Sequence, residues 1–207
     1  MRKCLWSMAL LGLWVGWSSP AVAINESALY YGSGLSRLIS PQVFEGALQG
    51  YRQVPGKRKA LLTIIDYSKP SSERRLFILD MLKGRLLAAT WVSHGRNSGD
   101  EQAYAFSDRP ESRQSSLGVY RTAETYLGKY GYSLRLDGLT PGKNLNARKR
   151  AIVLHGAPYA SPAHLKRFGK LGRSWGCPVV PLEQAPRIIR LIEGGSVIYA
   201  YGSNRQV

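Results

Sequence analysis

Apolar positions in this chain follow two rhythms. Between Ser40 and Val54 they recur at three and four, as Val43, Phe44, Ala47, Leu48 and Tyr51, the spacing of one helical face. Ser40 is a good cap and Pro41 suits the first helical position. Val54-Pro55-Gly56 ends the run. From Ala60 onward the texture is that of strands. The stretches 60–66, 76–82, 85–95, 117–122, 132–136, 151–155 and 196–202 are apolar and rich in β-branched residues. Lys83-Gly84 reads as a two-residue hairpin. Residues 97–116 form a long polar loop, a length that in compact domains is often functional. Ser161-Pro162 opens a short helix reaching about Gly169, and residues 182–195 pattern as an amphipathic helix despite Pro186. The order predicts a mainly β domain over residues 60–207, with short covering helices and a helical lead-in over 24–59.

The first 23 residues differ from the rest. Arg2 and Lys3 precede an apolar run, Leu5 to Trp17, too short to span a bilayer comfortably. Ala21-Val22-Ala23 then offers a small-x-small cleavage site, so residues 1–23 read as a secretory signal peptide. The expected destination lies across the inner membrane, with no stable anchor after cleavage. The 207-residue chain carries a formal net charge of +16, and the leader holds only two of its basic residues. A strongly basic surface favours anionic partners. Export argues against nucleic acid and leaves anionic wall polymers and membrane surfaces. The sequence is silent on oligomeric state.

Of the two cysteines, Cys4 falls in the leader, which leaves Cys177 alone in an exported chain. Exported cysteines usually pair as disulfides; an unpaired one is an intermolecular bridge, a buried filler or a reactive thiol. Its setting, Gly172-Arg173-Ser174-Trp175-Gly176-Cys177-Pro178, points to the last. Gly176 permits positive φ and a close backbone approach, so that successive N–H groups can form an oxyanion hole. Ser174 can bond the turn or a substrate, and Arg173 can meet a carboxylate. A nucleophilic cysteine needs an oriented base. His155, followed by Gly156 at the end of a strand, is the leading candidate over His94 and His164. Metal ligation is not expected, because HExxH, paired CxxC and H-x-H spacings are lacking. No cofactor is expected either.

"IVLHG" followed by "GRSWGCP" resembles the active-site motif of the L,D-transpeptidases with a YkuD-type catalytic domain: a histidine, a spacer, then Ser/Thr-x-Gly-Cys. "SSLGVY" at 115–120 is similar to the family's T-P-x-G-x-[FY] strand, and residues 92–136 resemble the second YkuD-like subfamily of Gram-negative bacteria. The likeness spans roughly residues 60 to 200. It departs in two places. Trp175 stands where the family usually has histidine, and the spacer after His155 is longer, with its extra residues near Tyr159–Phe168. The resemblance implies a YkuD-like β-sandwich or barrel acting on peptidoglycan stem peptides, donor and acceptor, in the periplasm. Cys177 would form a thioester, His155 would be the base, and backbone N–H groups at Gly176 and Cys177 would hold the oxyanion. Arg173, Ser174, Trp175, Gly156, His94, Ser116 and Tyr120, with Tyr104, are expected to contact substrate. A murein L,D-carboxypeptidase or endopeptidase using the same Cys-His pair, and a catalytically silent wall-binding module, stay open as alternatives.

Overall fold

Alternating side chains along the first strands enter two different cores. The computed structural model describes residues 25–203, so the expected signal peptide lies outside the described residues. Helix α1 is Pro41–Gln53. It is followed by β1 (Leu61–Asp66), β2 (Leu76–Asp80), β3 (Arg85–Thr90), β4 (Gly118–Gly128), β5 (Gly131–Gly138) and β6 (Val153–Ala157). Helix α2 (Pro162–Phe168), β7 (Val179–Pro181), α3 (Ala185–Ile192) and β8 (Val197–Tyr201) complete the chain. The strands form one eight-stranded sheet in the order β3-β2-β1-β8-β4-β5-β6-β7. Two neighbours, β1–β8 and β6–β7, run parallel, and the rest are antiparallel.

On one face Leu62, Ile64, Phe77, Leu79 and Val197 pack with Val43, Phe44, Ala47 and Leu48 of α1. On the other, Ile65, Leu76, Ile78, Leu134, Leu136, Leu154 and Ile198 enclose Ile188, Ile189 and Ile192 of α3. A period of two sorts successive side chains to opposite faces, and here both faces are apolar because a helix covers each. The lead-in is therefore part of the domain's packing. The Ser40 side chain caps α1 as expected, accepting from the Val43 N–H at 3.4 Å.

The sheet curls until its ends almost meet. The chain leaves β3 at Thr90, and Trp91–Gly95, expected as more strand, crosses instead to the far edge. There the Ser93 N–H donates to the Val179 carbonyl at 2.7 Å, and Gly95 bridges Ser174. The result is a nearly closed barrel, the mainly β architecture expected, with few and short helices.

Two local expectations change, and one strand was not expected. The β2–β3 connection spans residues 81–84 rather than two residues, because the Asp80 carboxylate accepts from the Leu82 and Lys83 N–H groups and holds a wider turn. The tight two-residue turn is Lys129-Tyr130, where β4 and β5 run past the expected ends to pair Gly128 with Gly131. Strand β7 is three residues long, too short for period-two patterning to mark.

The seat of α1 is a testable consequence of packing. A Cβ on Gly50 would lie 2.6 Å from Val119 Cγ2. Helix propensity favours Gly→Ala by about 1 kcal/mol, whereas overpacking costs roughly 1–3 kcal/mol. Gly50→Ala is expected to lower the urea midpoint at unchanged m-value. A raised midpoint would mean that α1 shifts freely on the sheet.

Candidate active site

Cys177 sits where the closing segment, the long loop and β6 converge. The turn that presents it is stapled by Ser174, whose Oγ accepts from the Gly176 N–H at 3.0 Å and donates to the Cys177 carbonyl at 2.7 Å. Gly176 adopts φ +123, and a Cβ there would stand 2.7 Å from the Gln114 carbonyl oxygen, so both conformation and space demand glycine. None of the hydrogen bonds among the described residues engages the Cys177 N–H. The Gly176 N–H, by contrast, is committed to Ser174. The half-buried thiol lies 3.5 Å from the Val153 nitrogen and 3.7 Å from the Ala151 carbonyl oxygen. Ala151 holds φ +53, an uncommon conformation for a residue with a side chain, and it aims that carbonyl at the sulfur. Burial pushes the Cys177 thiol pKa up, partly offset by the Val153 N–H and the Arg150 charge.

Two residues beyond Val153 on the same strand is His155, between Ser133 of β5 and Val179 of β7. It is 2% exposed. Its Nδ1 lies 3.1 Å from the Gly156 carbonyl oxygen. A carbonyl only accepts, so Nδ1 carries the proton and Nε2 keeps its lone pair. Tyr130, at the tip of the β4–β5 hairpin, stacks on the imidazole with centroids 4.6 Å apart and planes at 21°. Burial lowers the His155 pKa. In the resting site the thiol and the imidazole are thus both biased toward their neutral forms.

Two buried arginines, unmarked in the sequence by any motif, build the support. Arg75, 0% exposed, donates to the Val92 carbonyl at 2.9 Å, to the Lys69 carbonyl at 2.8 Å and to His94 Nδ1 at 2.7 Å. Its guanidinium also lies over the Tyr67 ring. Arg150 donates to the Ser107 and Gln114 carbonyls, each at 2.7 Å, and to Ser116 Oγ at 2.5 Å. It ties the long loop down beside Gly176. Ser115 adds a second tie, accepting from the Gly95 N–H and donating to the Gly176 carbonyl. In sequence Arg150 belongs to the basic run Arg148-Lys149-Arg150 and resembles a solvated charge. Only loop closure reveals its burial.

The expected site residues divide by position. Gly176 and Ser174 build the turn that carries Cys177, and His155 and Gly156 lie on β6, against whose start the thiol rests; Ser174 serves the turn and Gly156 serves packing, since a Cβ on it would meet Ala185 Cβ at 2.7 Å. Trp175, 64% exposed, and half-exposed Arg173 face solvent beside the turn. Tyr104 is also exposed. Three residues expected to touch substrate stand instead behind the wall. His94 is 0% exposed, with Nδ1 on Arg75 and Nε2 3.4 Å from the Gly99 carbonyl oxygen. The Tyr120 hydroxyl donates to the Ser116 carbonyl, and the Ser116 hydroxyl lies between Ser107 and Arg150. Burial in the curled sheet claims their polar atoms for the protein. Among the described residues no three His, Cys, Asp or Glu side chains gather as a metal site would require.

The Arg75–His94 pair makes stability depend on pH. Burial and the Arg75 charge pull the His94 pKa from 6.5 down to about 3. The unfolded chain therefore binds the extra proton first, and stability is lost as pH falls from 6.5 toward 3. Each proton contributes about 1.4 kcal/mol per pH unit in that window. His94 should thus cost about 2 kcal/mol between pH 7 and 5, and the lowered His155 acts in the same direction. Urea unfolding at the two pH values is expected to show the drop, and His94→Gln should flatten it.

No curated protein matches the chain in sequence. Among solved structures, an L,D-transpeptidase from Mycobacterium smegmatis superposes with a TM-score of 0.43 at 13% identity, over 69% of this chain and 59% of that one. L,D-transpeptidase 3 from Mycobacterium tuberculosis gives 0.42 at 15%, over 69% and 61%. The Stackebrandtia nassauensis L,D-transpeptidase gives 0.44 at 12%, over 86% and 77%. The likeness is of fold alone, and the chain spans less than two thirds of the length of the first two. The family profile is the decisive match: the L,D-transpeptidase catalytic domain (YkuD_2) covers residues 36–201. With that span, most of its length, the chain belongs to the L,D-transpeptidase catalytic-domain family.

Proposed function

We propose that this protein is a periplasmic peptidoglycan L,D-transpeptidase that works through a thioester on Cys177. The observation that carries the reading is His155, held through Nδ1–H on the Gly156 carbonyl with Nε2 unprotonated, on the strand against whose start the Cys177 thiol rests. Cys177 Sγ attacks the carbonyl carbon of the third residue of a donor stem as its proton passes to His155 Nε2. The negative charge on the carbonyl oxygen is held by the Cys177 N–H. The Gly176 N–H, bonded to Ser174, fixes the turn instead. The C–N bond to the terminal D-alanine then breaks, and His155 returns the proton to the leaving amine. An amine from a second stem attacks the thioester, loses a proton to His155, and expels the sulfur, which is reprotonated. Water in place of the amine makes the same site a carboxypeptidase. Residues 1–23, read as a signal peptide, deliver the enzyme across the inner membrane.

Because burial favours a neutral thiol beside a neutral imidazole, the proton moves during attack rather than beforehand. Incubation with a carbapenem should add its mass to the wild-type protein and not to Cys177→Ala. His155→Ala should slow adduct formation by about 10²–10⁴-fold. The acid limb of the acylation rate is expected below pH 6.5, since His155 protonates less readily than a free histidine. Correctly folded wild type that stays unmodified, or a limb at or above 6.5, would count against the mechanism. With a tetrapeptide stem, a cross-linked dimer marks transfer, and loss of one alanine without dimer marks hydrolysis.

A further inference from the structure

Beside the nucleophile turn is a cleft of about 310 Å³ lined by Arg96, His164, Phe168, Lys170, Arg173 and Trp175. Its position is set by backbone contact, because the Arg96 N–H donates to the Ser174 carbonyl at 2.8 Å. Trp175 is two residues from Cys177, at most about 7 Å of extended chain. The cleft is cationic in excess. Asp100 is its acidic neighbour, bound by Lys170 and lying 3.2 Å from Arg173. The Arg96 guanidinium, exposed, makes no ion pair among the described residues. Three cations thus face one carboxylate, and Asp100 demonstrates that a carboxylate fits between two of them. The remaining wall is apolar: Phe168 is 53% and Trp175 64% exposed. His164 packs on Phe168 at 4.4 Å between centroids, and the Arg113 guanidinium supports the Trp175 ring at 4.5 Å.

Such a lining suits a ligand with a free carboxylate on an aliphatic stem. A guanidinium or ammonium group donates charge-assisted bonds to the anion, while exposed rings cover methylene groups. We propose that this cleft is a carboxylate-recognition subsite in which Arg96, with Lys170 and Arg173, binds a free carboxylate of a stem peptide and Trp175 and Phe168 cover its aliphatic part. It rests on the transpeptidase reading for the identity of the peptide. The carboxylate belongs either to the donor or to the acceptor stem, two sources of the same chemistry.

The test is titration calorimetry on Cys177→Ala, which binds without turnover. The probes are a tetrapeptide stem containing diaminopimelate as donor, a tripeptide stem lacking the terminal D-alanine as acceptor, and the carboxamide of each at the diaminopimelate carboxylate. The free acid of at least one stem is expected to bind about tenfold tighter than its amide. The stem that discriminates identifies the source. Adding Arg96→Gln, and separately Lys170→Gln, should remove that preference while leaving the thermal midpoint unchanged, as both side chains are at the surface. Equal affinity for acid and amide in both stems, or a preference that survives both substitutions, would overturn the subsite. Discriminating binding with no dimer or alanine release by the unmutated enzyme would sink the transpeptidase reading and leave the subsite standing. Turnover without discrimination would do the reverse.

Discussion

The buried Arg75 charge holds the segment on which the site hangs. A guanidinium taken from water is costly unless its donors are satisfied, and here they are satisfied by the carbonyls of Lys69 and Val92 and by the ring of His94. Two of those partners lie in Trp91–Gly95. That segment in turn donates from Ser93 to Val179 and accepts at the His94 carbonyl from the Ser174 N–H. Arg75 therefore fixes the strip of backbone that closes the barrel, and the strip fixes the turn that carries Cys177. Burial brings its pKa down only to about 10, so the charge persists at neutral pH.

Arg150 is the counterpart on the other side of the turn. It gathers Ser107, Gln114 and Ser116, which keeps the polar loop pressed against Gly176. The two arginines divide the work between closure of the sheet and the loop over it. Neither donates to the thiol. The polar groups that engage the sulfur are backbone atoms, from Val153 and from the left-handed Ala151. A site built on backbone geometry tolerates little change of conformation, which is why Gly176 sits where a side chain would strike the Gln114 carbonyl.

Neutral pairing has a chemical consequence. A thiolate–imidazolium pair is reactive toward many electrophiles, whereas in the proposed mechanism a neutral thiol and an unprotonated imidazole wait for a substrate that places its carbonyl correctly. The Tyr130 ring stacked on His155 adds to the desolvation that keeps the imidazole neutral. It comes from a hairpin whose tip follows two strands longer than their apolar runs suggest. In the proposed subsite, selectivity falls to the surface around the turn, where Arg96, Lys170, Arg173 and Trp175 line the cleft.

Much of the frame is local and was readable. The three-and-four spacing of Val43 to Tyr51 and the Ser40 cap determine α1, and the β-branched runs determine most strands, because burial of a face enforces a period. Cys177, its glycine and His155 stand out in the sequence for a different reason: the proposed thiol chemistry needs those residue types, wherever the fold puts them. Tertiary structure decided the rest. Whether Arg75 and Arg150 are solvated or buried, whether Ser116, Tyr120 and His94 face a ligand or a carbonyl, and that Tyr130 covers His155, all depend on contacts between residues far apart in sequence. A polar side chain reads the same on the surface and in the interior; only closure of the sheet assigns its partner.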